Sequence, residues 1–168
     1  MSNTADRVFT VLFLCTGNSS RSLIAEALLN YLGKGRFVAY SAGSYPTGRV
    51  HPLAVTMVEE MELPSAHMRS KSWQEFAGPA APTLDFVFSV CDAAAGETCP
   101  QWPGQPMSAH WGIDDPATRV GSDESRRRRF EQATLQLKRR IELFLSLPFE
   151  SIDSLAMQHH LDEIGRLP

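Results

Sequence analysis

The feature that most constrains the fold is a change of hydrophobic period that recurs along the chain. Residues 8–14 read Val-Phe-Thr-Val-Leu-Phe-Leu, a short and nearly continuous apolar run. Such a run suits a strand covered on both faces, as in a parallel sheet. Residues 21–32 then turn helical, with Ile24, Ala27, Leu28 and Tyr31 on one side and Gly33 placed to end the helix. The alternation repeats. Residues 37–40 read as a strand, and 52–61 as a helix with Pro52 at its first position and Ala54, Met57, Val58 and Met61 on one side. Residues 85–91 form the clearest later strand, 93–106 a loop, and 107–111 a last short strand. Ser122 is a good N-cap for a long helix carrying Phe130, Thr134, Leu137, Ile141 and Phe144, which Pro148 ends. Residues 151–164 are weakly amphipathic. Strands alternating with helices predict a right-handed parallel α/β domain. Ligands in such sheets bind beyond the carboxyl ends of the strands. Cys15, Cys91 and the pair Asp114-Asp115 each closely follow a predicted strand.

Composition narrows the class. The chain has 168 residues, 43% hydrophobic and 21% charged, which is globular and excludes disorder throughout. We expect one domain over 1–168, with a core at about 7–147 and a C-terminal helical extension at 149–168. A net charge of −3 gives no basis for a nucleic-acid surface. No stretch reaches the roughly 18–20 apolar residues of a membrane span. The first residues lack a secretory signal pattern, and the three cysteines do not make a disulfide framework, so a cytoplasmic protein with reduced thiols is expected.

The loop Cys15-Thr16-Gly17-Asn18-Ser19-Ser20-Arg21-Ser22 joins the first strand to the first helix. A tetrahedral oxyanion needs several inward N–H donors, and a curled loop ending at a helix N-terminus supplies them. Gly17 and Asn18 tolerate positive φ. Arg21 adds a planar, always-charged fork for two oxygens. The helix terminus and the guanidinium favour the thiolate of Cys15, the nucleophilic form. Ser22 is placed to donate to that sulfur. Thr16, Gly17, Asn18, Ser19, Ser20, Arg21 and Ser22 are therefore the expected substrate-binding residues.

Cys15 to Arg21, continued by Ser22-Leu23-Ile24-Ala25-Glu26, resembles the low-molecular-weight protein tyrosine phosphatase superfamily, which includes phosphatases and thiol-dependent arsenate reductases. The resemblance runs from about Val8 to Leu147. It implies a low-molecular-weight phosphatase-like α/β fold, a four-stranded parallel sheet flanked by helices. Many relatives carry a second cysteine just before the arginine; Ser20 stands here, so no disulfide forms within the loop.

The run from Val90 through Cys91-Asp92-Ala93-Ala94-Ala95-Gly96-Glu97-Thr98-Cys99 to Pro100 resembles the redox segment of the arsenate reductases. The implied cycle starts with arsenate in the loop, where phosphate or sulfate would compete. Cys15 attacks arsenic and Asp115, just before Pro116 in an aspartate-proline loop, protonates the departing oxygen. Cys91 attacks Cys15 and releases arsenite; Cys99 attacks Cys91. Bridging needs Cα atoms about 4.4–6.8 Å apart, so one segment is expected to move. The Cys91–Cys99 disulfide is then reduced by an external dithiol system, thioredoxin or glutathione/glutaredoxin, with no bound cofactor. The alternative is a phosphatase hydrolysing phosphotyrosine or small phosphoesters, needing only Cys15, Arg21 and Asp115. Relatives of that kind usually carry tyrosines after the proline; Ala117-Thr118-Arg119 follows here, which suits a small inorganic oxyanion.

Some relatives bind potassium through an asparagine, a glutamate, a serine and a distant aspartate. Asn18, Glu26 and Ser41 match the first three, but Leu63-Pro64-Ser65-Ala66-His67 offers no acid for the fourth, so no metal is expected. Trp73, Trp102 and Trp111 read as packing residues, with Trp102 beside the redox segment, and the four arginines 126–129 as a solvated helix face.

Overall fold

The computed structural model describes residues 7–92, 100, 102–118 and 120–168. The elements run β1 (Phe9–Cys15), α1 (Arg21–Leu32), β2 (Phe37–Gly43), α2 (Pro52–Glu60), a 3-10 turn (Trp73–Phe76), β3 (Phe86–Ser89), β4 (Met107–His110), α3 (Asp123–Leu145) and α4 (Ser154–Gly165). The four strands form one sheet in the order β2-β1-β3-β4, every pairing parallel. Cys99 and the other residues at 93–99 lie outside the described part of the chain.

The unbroken apolar run of β1 is explained by two buried faces. Val11, Phe13 and Cys15 point into one core with Ile24 and Leu28 of α1 and Phe130, Leu137, Ile141 and Phe144 of α3. Leu12 and Leu14 point into the other with Ala42, Phe76, Leu84 and Val87. Helices α1 to α4 lie against the first core. The second is closed, among the described residues, by the 3-10 turn and by Trp73 and Trp102, whose rings meet edge-on at 6.1 Å. Gly78, Pro79 and Pro82, shortly before β3, explain why irregular chain, rather than a full helix, covers this face.

Two expectations change. Tyr31, placed with the buried side of α1, is 61% exposed. Leu23, Ala25 and Leu29 are buried instead, because α1 packs against β1, β2, α2 and α3 together. β3 ends at Ser89 rather than continuing to residue 91, although Val90 N–H still donates to Leu14 O at 2.8 Å.

The C-terminal segment closes on β4. Ser122 and Asp153 cap α3 and α4 through their side chains. Met157, Leu161 and Ile164 are buried, each contributing about 1.5–3 kcal/mol by area. Trp111 Nε1 donates to Leu161 O (3.0 Å), Gln158 Nε2 to Ser108 O (2.9 Å) and Arg140 Nη2 to Leu167 O (2.8 Å).

Candidate active site

Cys15 is the last residue of β1 and Arg21 the first of α1. The five residues between them curl, helped by Asn18 at φ 45°. Their carbonyls are tied outward: Thr16 O accepts from Tyr45 N–H (3.0 Å), Gly17 O from Thr47 N–H (3.0 Å) and Ser70 Oγ (3.1 Å), and Ser19 O from His51 N–H (2.9 Å). In a trans peptide the next N–H points opposite the carbonyl. The amides of Gly17, Asn18 and Ser20 therefore face the concave side. Gly43, at the end of β2, lies against this loop, where a side chain would meet Thr16 O and the Asn18 backbone.

Arg21 Nη1 donates to Ile113 O at 2.9 Å, and Nη2 lies 3.8 Å from Asp115 Oδ2. The other Asp115 oxygen accepts from Ala117 N–H at 2.9 Å. Half exposed, Asp115 thus stands beside the guanidinium with one oxygen fixed. Arg21 Nε and Ser20 Oγ are buried without a protein partner among the described residues. Buried donors of this kind are costly unless satisfied, and an oxyanion in the loop would satisfy both. Asn18 Nδ2 donates to Ser22 Oγ at 2.8 Å. That bond fixes the loop to the helix, a role for Ser22 besides the one expected toward the sulfur.

Cys91 lies against the loop. Thr16 N–H donates to its Sγ at 3.3 Å, and the Thr16 hydroxyl lies 3.6 Å from the same sulfur. Both cysteines are buried. Parallel pairing of β1 with β3 brings Cys91 to the same end of the sheet as Cys15, while the segment expected to move, at 93–99, lies outside the described residues. The electrostatics differ from expectation. The Cys15 thiol is pushed up from its ordinary value by the hydrogen bond to Cys91 and then by burial, while Arg21 and the Gly17 amide pull it down. The hydrogen bond to Cys91 and burial together outweigh the pull of Arg21 and the Gly17 amide. Cys91 was absent from the loop-only reasoning that favoured a thiolate.

Two of the groups matching a potassium site, Glu26 and Ser41, face an ammonium, and the third, Asn18, binds the same residue's main chain. Lys71 Nζ donates to Ser41 Oγ (3.2 Å) and Arg69 O (3.0 Å), and lies 3.8 Å from Glu26 Oε1. Asn18 Oδ1 accepts from Lys71 N–H at 2.9 Å. Burial pushes the Glu26 carboxyl up and the Lys71 ammonium down, each opposed by the other's charge. Lys71→Met should destabilise the fold by about 3–5 kcal/mol, because it leaves a buried carboxylate without its cation. Losing Lys71 raises the folded-state value of Glu26 further above its unfolded value. The stability lost on ionising Glu26 therefore appears as pH rises through that value. Urea unfolding should show the variant's deficit shrinking from pH 8 to pH 5; a deficit that grows on acidification is the opposite outcome.

The sequence reading missed Thr47, Ser70, His51 and Lys71, which hold the loop from outside. His51 had a signal: it precedes Pro52 as the N-cap of α2, its Nδ1 accepting from Leu53 N–H at 3.0 Å. The others carry none, since they act through backbone atoms or across non-local contacts.

Several known proteins are similar to this chain. The low molecular weight phosphotyrosine protein phosphatase profile matches residues 10–157. An arsenate reductase of Halalkalibacterium halodurans is 37% identical over 136 residues, which is 80% of this chain and 93% of that protein. Among solved structures, an arsenate reductase in its oxidized state superposes with a TM-score of 0.64 and 29% identity, covering 79% of this chain and 93% of that one. The thioredoxin-dependent arsenate reductase of Corynebacterium glutamicum gives a TM-score of 0.58 and 27% identity, covering 83% of this chain and 64% of that one.

Proposed function

The chain belongs to the low molecular weight phosphotyrosine protein phosphatase family, and from that premise we propose that it is an arsenate reductase working through a Cys15–Cys91–Cys99 relay. The loop amides, Arg21 and Ser20 bind the oxyanion. Cys15 Sγ attacks arsenic, and an oxygen leaves as water with Asp115 supplying the proton. Cys91 Sγ then attacks Cys15 Sγ. The sulfur–sulfur bond forms, the sulfur–arsenic bond breaks, and its electron pair stays on arsenic, which departs as arsenite. Cys99 attacks Cys91 and returns Cys15 as a thiol. An external dithiol protein of the thioredoxin or glutaredoxin type then reduces the Cys91–Cys99 disulfide. The working compartment is the cytoplasm, where such reductants keep thiols reduced.

The observation that carries this reading is the seat of Cys91 Sγ on the Thr16 N–H, the first amide of the oxyanion loop and the neighbour of Cys15. Hydrolysis of a phosphoester needs no second sulfur there. The resemblance of residues 91–99 to the redox segment supports the rest of the relay, and the H. halodurans reductase supports arsenate as the substrate.

Thiol counting tests the proposal. Reduced protein mixed with arsenate, with no external reductant, should lose two of its three thiols and release one arsenite per chain. Phosphate should leave all three. Retention of every thiol alongside efficient aryl-phosphate hydrolysis would favour the phosphatase.

A further inference from the structure

A hydrogen-bonded chain at the ends of β3 and β4 leads to the residue next to Cys91. Ser89 and His110 are paired across the two strands. Ser89 Oγ lies 2.8 Å from His110 Nδ1, and His110 Nε2 lies 2.7 Å from Asp92 Oδ1. A carboxylate accepts only, so Nε2 donates to Asp92 and Nδ1 shares a hydrogen bond with the serine hydroxyl. Gly112 completes the arrangement. A Cβ there would meet Asp92 Oδ1 at 2.6 Å and His110 Nε2 at 2.5 Å. The position leaves room for the Asp92–His110 bond only as glycine.

Asp92 follows Cys91 directly, so fixing its side chain fixes where the chain leaves the sheet. We infer that Ser89, His110 and Asp92 are positioning residues that hold Cys91 Sγ in its seat against Cys15 for the second step of the relay. The inference rests on the relay proposed above. Asp92 is largely exposed, so the tie adds little to global stability. Its effect is local, in presenting one sulfur to another, where a misplacement of about 1 Å can cost roughly 100-fold.

The test uses the full chain with Cys99→Ser, which leaves Cys15 and Cys91 as its thiols. Diamide is the oxidant: its nitrogen–nitrogen double bond takes up two electrons and two protons as the two thiols become a disulfide. In this background, Asp92→Ala and Gly112→Ala should form the disulfide roughly 10–100-fold more slowly. Asp92→Asn, which keeps the acceptor oxygen, should stay close to the parent. The affinity of the loop for inorganic phosphate should be unchanged in all three. The Gly112 methyl meets the far end of the Asp92 side chain, so that variant breaks the bond without demanding a new backbone.

Parent rates in both alanine variants would overturn the inference. So would an equal loss of phosphate affinity, or an asparagine variant as slow as Asp92→Ala. No arsenate is present, so a wild type that failed to reduce arsenate would sink the proposed function and leave this result standing.

Discussion

Replacing Cys91 with serine is expected to reduce arsenate turnover by about 10³-fold or more, because nucleophile roles that act as a unit fail together. Serine occupies nearly the same volume and can keep the bond from Thr16 N–H. It cannot accept the cycle's second half. Arsenic gains its electron pair only if a sulfur–sulfur bond replaces the sulfur–arsenic bond, and a hydroxyl offers no comparable product. Phosphate binding and any slow aryl-phosphate hydrolysis should survive, since Cys15, Arg21 and Asp115 are untouched. Arsenite release under multiple turnover is the measurement, and full turnover by Cys91→Ser would end the relay. Cys91→Ala adds a pH signature. The hydrogen bond to Cys91 is the foremost cause holding the Cys15 thiol up. Its removal lets Arg21 and the Gly17 amide act against burial alone, so the thiolate forms at lower pH. Alkylation of Cys15 by iodoacetamide, with Cys99 replaced by serine, should shift toward acid in the alanine variant. A shift toward alkali would contradict the account.

Cys15→Ser should lower both arsenate reduction and phosphoester hydrolysis by about 10⁴-fold or more, the scale seen when an activated nucleophile is removed. An alcohol in the same cup ionises far less readily than a thiol and is a poor nucleophile for arsenic or phosphorus. The fold should persist, because a buried sulfur is exchanged for an oxygen of similar size beside polar amides, a change on the order of 1–2 kcal/mol. Thermal unfolding together with the two activities tests this. More than about a hundredth of the parent rate in a folded variant would move the nucleophile elsewhere.

The residues that could be read in the sequence are those whose meaning is local. Cys15 to Ser22 make up a strand end, a curl and a helix start in eight consecutive positions, and each residue type announces its part. The Ser122 cap and the spacing of Phe130, Leu137 and Phe144 are equally local. Tyr31 was misplaced because helical spacing shows which residues share a face, but not how many neighbours surround the helix. The seat of Cys91 was invisible because Thr16 and Cys91 are 75 positions apart and meet only through parallel pairing. Lys71 was invisible for the same reason: a search for an acid near residues 63–67 does not find a cation arriving from the strand-like bridge between Gly43 and Ser72. The Ser89–His110–Asp92 chain needs the β3–β4 register, which no periodicity specifies.

Among the described residues the pairing order leaves β4 with one neighbouring strand, and its second side meets the terminal helix. Gln158 takes the outward carbonyl of Ser108, and Gly165 presses on that of His110 so closely that a methyl would collide with it. The helix is thus a guard against self-association. A chain clipped near Leu147 would present an unsatisfied strand margin beside a bared Trp111, an invitation to recruit further copies into ribbons or precipitate. Proteolytic trimming or a short expression boundary would then register as lost solubility before any loss at the sulfur cup, which stands at the ends of β1 and β3.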